Sequence, residues 1–491
     1  MAIINFQPEF RPALPCVFGS KDYREVRATL IEIDRILTTT GLEDHFIERR
    51  ITAYEEPISP RQLQRHCKTL RLALRHNILL AITGLSFREL SRRMADSHLF
   101  QWFTHTGFVD AVRPVSKSTL ERFEKIFDAH EVTGLVHDLN RAVAEPLGAQ
   151  HLLYRETALR FDQIFADTTC VKNNIHFPVD WVLLRDATRT LIKAVILIRT
   201  QGLKHRMDRP ERFLREMNKL CIEMTHTRKK KDAKKVRKQV FRRMKKLMNT
   251  VEGHAKNHHG LLKERWRETD WSELETQVVL DRIQNILDQL PQAIDQAHER
   301  IIGERRVANT DKILSLYEPD AHVLVRGKAG AEVEFGNGLY LAEQTDGLIV
   351  DWDFMKDQPV SDSRLVNPSL KRIKAQYGNP ESYTGDRGFH SAANDAVLEE
   401  LGIFNSLCPR SVAALHEKLE DEGFCLLQKR RGATEGRIGL FKNAYLGSPF
   451  RSKGHAHRKI RITWCILGHN LWKLAVMAAQ KKQELDAAAA A

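Results

Sequence analysis

The sequence predicts an α/β chain in which a mixed sheet is covered by helices, with an all-α N-terminal domain and a long basic helical stretch between the strands. Three observations predict it. From residue 21 to about 150, apolar residues recur at three- and four-residue steps, the period of packed helices. Near residue 159 the period changes, and β-rich runs appear there and again from 322. Between them, from roughly 202 to 315, the pattern is helical and very rich in Lys and Arg.

The N-terminal helices follow in order. "YREVRATLIEIDRIL" (23–37) and "SPRQLQRHCKTLRLALRHNILLAITG" (59–84) each keep an apolar face. "LSFRELSRRMADSHLFQWFTHTG" begins a short helix pair with a capping-box signal, Ser86 three residues before Glu89. "VSKSTLERF" repeats that signal with Ser118 and Glu121. Short helices with many Arg and Lys suit a helix-turn-helix-like DNA-binding module, or a bundle that only packs.

"LRFDQIFADTT" (159–169) then reads as a strand, and "RTLIKAVILIRTQ" (189–201) as a strand or a buried helix. "RKKKDAKKVRKQVFRRMKKLM" (228–248) packs its charge around a sparse apolar seam of Val236, Val240, Met244 and Leu247. So one-sided a charge run points to a polyanion nearby. "HVLVRGKAGAEVEFGNGLYLAEQTDGLIVDWDF" (322–354) alternates as a meander, with "GNG" (336–338) as its expected hairpin turn. A helix ("SDSRLVNPSLKRIKAQYG"), a short strand ("ESYTGDRGFH"), a helix ("SAANDAVLEELG") and a strand ("IFNSLCP") alternate after it. After a charged stretch, helices "ATEGRIGLFKNAY" and "HAHRKIRITWCILGHNLWKLAVMAAQ" follow.

The composition narrows the function classes. The 491 residues carry a formal charge of +14, with 42% hydrophobic and 29% charged residues. That hydrophobic share folds into ordinary globular domains, and the surplus charge favours nucleic acid as the partner. No apolar run approaches the ~20 residues that span a bilayer, so a membrane is not expected. The first residues show no charged segment followed by an apolar one, and no secretory signal is expected. Seven scattered cysteines without a C-x-x-C pair are expected as reduced thiols.

Chemistry centres on aspartates. Asp167 closes an apolar run and is followed by two threonines, and Asp386 in "YTGDRGFH" closes a second short strand before a Gly turn. Ligands collect at the carboxyl ends of strands in such sheets. Carboxylates brought close repel unless a cation compensates them, and a divalent ion does so while keeping water and phosphate oxygens as further ligands. Glu435 is a candidate third ligand, on a helix face shared with Arg431 and Lys442, although that pattern also describes a surface ion-pair stripe. Rival acids are Asp351 and Asp353, Glu399 and Glu400, and Glu417, Glu420 and Glu422. His254, His258 and His259 read as exposed histidines rather than metal ligands, and "VRGKAG" lacks the P-loop spacing.

Taken in order, these blocks resemble a DDE transposase of a bacterial insertion sequence, a family with a ribonuclease-H-like catalytic domain. "SFRELSRRMADSHLFQWF" with "SKSTLERF" resembles its N-terminal helical domain. "FADTTCVKNNIHFPVDWVLLRDA" resembles its first-Asp block, with the H-x-P-x-D around His176, Pro178 and Asp180, and "YTGDRGFHS" the second-Asp block. "RGKAGAEVEFGNGLYLAEQTDGLIVDWDF" resembles the meander and "RRGATEGRIGLFKNAYLG" the glutamate block. Many relatives set a Tyr, an Arg and a Lys around the glutamate. Arg431 and Lys442 match, while Gln428 stands in the place of the Tyr.

The resemblance implies a ribonuclease-H-like mixed sheet and a triad of Asp167, Asp386 and Glu435 that is both catalytic and metal-holding, for Mg²⁺ or Mn²⁺ and two ions. It implies Arg387, Arg431, Arg437 and Lys442 on DNA phosphates. The domains expected are 1–150 (DNA-binding helices), 151–201 (first part of the catalytic domain), 202–318 (basic helical insertion), 319–480 (remainder of the catalytic domain) and 481–491 (tail). The implied activity is cleavage and strand transfer on double-stranded DNA, by a homodimer on the element's ends, in the cytoplasm at the nucleoid. A metal-dependent nuclease or resolvase without strand transfer, or a non-catalytic DNA-binding protein, are the alternatives.

Overall fold

The computed structural model describes residues 13–52, 59–107, 111–227, 232–328, 331–447 and 449–490. The chain divides into two compact units, Met1–Val171 with Gly338–Met355 and Pro359–Ala491, and Lys172–Asn337 with Lys356–Gln358. Each has its own apolar core.

In the first unit eight helices precede the sheet: α1 (Lys21–Thr39), α2 (Leu42–Thr52), α3 (Pro60–Thr83), α4 (Phe87–Asp96), α5 (His98–Thr104), α6 (Lys117–Ile126), α7 (Ala129–Ala144) and α8 (Pro146–Leu153). Ser86 caps α4, its hydroxyl accepting from the Glu89 amide. The cap of α6 is Ser116, which accepts from the Thr119 amide, so Ser118 lies inside the helix. The capping signal placed at Ser118 was thus two residues late, because Ser116 already supplies an acceptor at the first free amides.

Strand β1 (Gln163–Lys172) leaves this unit at Val171. Its Ile164, Phe165 and Ala166 are fully buried, as expected of a strand covered on both faces. The second unit carries α9 (Asp180–Thr200), α10 (Pro210–His226), α11 (Ala233–Arg265) and α12 (Glu273–Ile301), then β2 (His322–Lys328) and the start of β3 (Ala331–Glu343). The run at 189–201 is therefore helix: Leu184, Leu191, Val195 and Ile198 are buried at helical spacing, against α10, α11 and α12. Val240, Met244 and Leu247 form a buried seam on α11, and residues 228–231 of the basic run lie outside the described residues.

Back in the first unit come β4 (Ile349–Phe354), α13 (Val366–Tyr377), β5 (Ser382–Gly385), α14 (Ala392–Glu400), β6 (Phe404–Leu407), α15 (Val412–Lys418), α16 (Glu422–Leu440), a π-helical turn (Phe441–Leu446) and α17 (His455–Ala490). The strand order is β2-β3-β1-β5-β6, with β4 also on β3. Strands β1, β5 and β6 run parallel, and β2 and β4 pair antiparallel with β3. The mixed sheet flanked by helices is present.

The "GNG" turn is not. Strand β3 runs straight through residues 336–338, where its partner changes from β2 to β4. Gly338 sits in a close contact rather than in a turn: a Cβ there would stand 2.8 Å from the Met355 sulfur, which would have to shift. The β2–β3 connection falls on residues 329–330, outside the described residues.

Candidate active site

Parallel pairing of β1 and β5 sets the site. Phe165 lies opposite Thr384, so Asp167 and Asp386 each stand two residues farther along adjacent strands, at one end of the sheet. Asp167 is half-buried and accepts from the Thr168 amide at 2.7 Å. Asp386 is half-buried and accepts from the Gly388 amide at 2.7 Å. Helix α16 brings Glu435, which is exposed and accepts from Arg431 at 3.0 Å.

The three acids share one electrostatic environment. Burial pushes the Asp167 carboxyl up to about 6, and the Asp386 and Glu435 carboxylates push it the same way. The Thr168 amide and the Arg431 guanidinium pull it down without cancelling the rise. Among the described residues, no three His, Cys, Asp or Glu side chains are gathered tightly enough to hold a metal ion.

Two residues to which the sequence reading gave no role hold α16 in place. Buried Glu343, near the end of β3, accepts from Arg430, Arg437 and Thr434. The Arg430 guanidinium also lies 4.2 Å over the buried Phe165 ring. Gln428 donates to the carbonyls of Gly385 and Ser406, at 3.2 and 2.6 Å, and accepts from Arg431 Nε at 3.2 Å. Gln428 is thus bonded to the carbonyl just before Asp386. In the sequence Glu343 looks like a turn residue before "QTDG", and Gln428 like a gap in a motif.

A fourth acid, Asp362, meets the same glycine as Asp386: a Cβ at Gly388 would stand 2.5 Å from Asp362 Oδ2 and 2.9 Å from Asp386 Oδ1, so a side chain there would displace both carboxylates. Asp362 gave no signal, because an acid opening a polar helix reads as an ordinary cap.

The expected phosphate contacts are spread out. Arg387 is exposed, and its carbonyl accepts from Arg410. Arg431 is committed to Gln428 and Glu435, and Arg437 to Glu343. Lys442 is half-buried in the π-helical turn. Of the rival acids, buried Asp351 makes a two-point pair with Arg372 at 2.7 and 2.8 Å, and burial still pushes its carboxyl up. Glu399, Glu400, Glu417, Glu420 and Glu422 are all exposed.

The histidines of α11 depart from the sequence reading. His258 is fully buried, with His254 and His259 half-buried, because they sit where α11 packs into the second core. His258 Nδ1 lies 2.7 Å from the His254 carbonyl, and burial pulls His258 below the ordinary imidazole range. The seven cysteines are unpaired, and no described helix is long and apolar enough to cross a membrane. No protein-family model matches this chain, and neither a curated protein nor a solved structure matches it.

Proposed function

We propose that the protein is a DDE transposase of a bacterial insertion sequence, in which Asp167, Asp386 and Glu435 form the catalytic set. The observation that carries this reading is the placement of Asp167 and Asp386 at one end of adjacent parallel strands, with Glu435 near enough to act on Asp167. A structural ion pair would supply a matching cation. Here the guanidinium of Arg431, which acts on Asp167, is already bonded to Glu435.

The donor set fits a hard divalent ion, since all three groups offer carboxylate oxygens and together carry more negative charge than Arg431 offsets. Asp167, Asp386 and Glu435 would hold Mg²⁺ or Mn²⁺, as one or two ions; when bound, the metal activates the attacking oxygen and stabilises the leaving one. The chain's own residues do the positioning. The parallel strands fix the two aspartates at one sheet end, and Gln428 and Glu343 fix α16 against it. Arg387 and Arg431 orient phosphates of the scissile strand, a role that sets register without reading sequence. The same site serves two in-line displacements: water opens the strand, and the freed 3′-hydroxyl then joins target DNA. The N-terminal helices bind the element's ends, the basic face of α11 holds flanking DNA, and two copies act together on DNA at the cytoplasmic nucleoid.

The test is Mg²⁺-dependent nicking of a labelled duplex carrying the DNA that borders the gene. Wild type is compared with Asp167→Ala, Asp386→Ala and Glu435→Ala. Nicking by wild type alone, leaving a 3′-hydroxyl, is expected, with each variant reduced at least ~10³-fold. Nicking without joined products would leave a nuclease or resolvase. Binding without nicking in Mg²⁺ and Mn²⁺ alike would sink the enzymatic reading.

A further inference from the structure

Arg431 stands between two demands. Its Nη1 donates to Glu435 at 3.0 Å, its Nε donates to Gln428 at 3.2 Å, and its charge acts on Asp167. Gln428 is itself tied to the backbone at the ends of β5 and β6, so the guanidinium is held on the acid side of the site. The Arg431 side chain is 19% exposed, whereas that of Glu435 is 60% exposed. The arginine is therefore the anchored partner and the glutamate the free one. Among the described residues no three acids stand close enough to share an ion, and the guanidinium holds one oxygen of Glu435.

We infer that Arg431 is a counter-charge latch: it occupies Glu435 in the DNA-free protein, and a DNA phosphate that takes up the anchored guanidinium releases Glu435 to complete the metal set. The inference rests on the transposase reading above. Its logic is competition. Metal and Arg431 compete for Glu435, while phosphate and Glu435 compete for Arg431. Arg431 gives Glu435 a single bond while Nε stays on Gln428, so a phosphate that replaces Glu435 needs no change in how the guanidinium is anchored. Two ligands that displace the same internal contact must help each other bind, and by linkage the help is reciprocal. The site would thus take up its ion strongly only when a DNA strand is present, and free protein would carry little cleavage-competent metal.

Calorimetric titration of the full chain with Mn²⁺, with and without a duplex of the bordering DNA, tests this. Asp167→Ala defines the signal that belongs to the site. Wild type is expected to bind Mn²⁺ roughly tenfold more tightly with duplex than without. Arg431→Gln is expected to bind Mn²⁺ roughly tenfold more tightly than wild type in the absence of DNA, with the duplex adding less than about twofold. Arg431→Lys keeps the charge but loses the simultaneous hold on Gln428 and Glu435, and is expected to lie between the two. If Arg431→Gln does not fold, the Lys variant decides. A duplex effect in wild type that persists undiminished in the Arg431 variants would overturn the latch and leave the metal site standing. Mn²⁺ binding that is indifferent to Asp167→Ala under every condition would overturn the metal site, and the latch with it.

Discussion

At Asp167 two kinds of effect oppose each other, and their order decides the chemistry. Burial and two neighbouring carboxylates raise the carboxyl from an ordinary 3.8 to about 6, against an amide bond and one guanidinium that lower it. A carboxyl raised on folding adds stability below its unfolded value, and that stability is lost as pH rises through about 6. Above that pH the ionised group strains the metal-free protein. Asp167→Asn is therefore expected to stabilise metal-free protein by about 1–2 kcal/mol near pH 7.5, with the gain vanishing below about pH 4, as read by urea unfolding. An equal gain at both pH values would show that ionisation is not the cause. Residues of this kind were legible because they break a local pattern: an acid ending an apolar run asks for a partner. Glu343 and Asp362 break no pattern, and Gln428 shows only as a departure from a motif. Their roles arise from elements that meet only in three dimensions.

Element by element, strong periodicity reads well and termini read badly. The N-terminal helices, β1, β5, β6 and α17 all stand where alternation or helical spacing placed them. Helix α16 begins at Glu422, inside a stretch too polar to show an apolar face. It is held instead by ion pairs and amide bonds, which no hydrophobic period reports. The "GNG" segment misled for a related reason: glycine marks both turns and close backbone approach, and only the neighbouring Met355 tells them apart. At the start of α6, capping makes a sharp comparison. Ser116→Ala is expected to cost about 1 kcal/mol of stability and Ser118→Ala less than about 0.5, measured by thermal unfolding. The reverse order would return the cap to Ser118.

For the molecule as a whole, the formal charge of +14 makes its own prediction. Duplex affinity is expected to fall by roughly 10³-fold or more between about 50 and 200 mM salt, followed by fluorescence anisotropy. A flat salt dependence would remove polyanion binding as the reason for the charge. Helix α17 carries a different consequence. Its Trp464 packs on Phe127, its Arg461 donates to the Leu80 carbonyl, and its Asn470 bonds Asn140 and the Ile349 backbone. Helices α1, α3, α7 and α8 all lean on it, yet the ribosome makes it after every one of them. At roughly 5–20 residues per second, those earlier helices wait on the order of half a minute with an uncovered apolar face. A message that stops short of residue 455 would yield a chain whose first unit never closes. Such a chain would leave the apolar faces of α1, α3, α7 and α8 open to proteolysis.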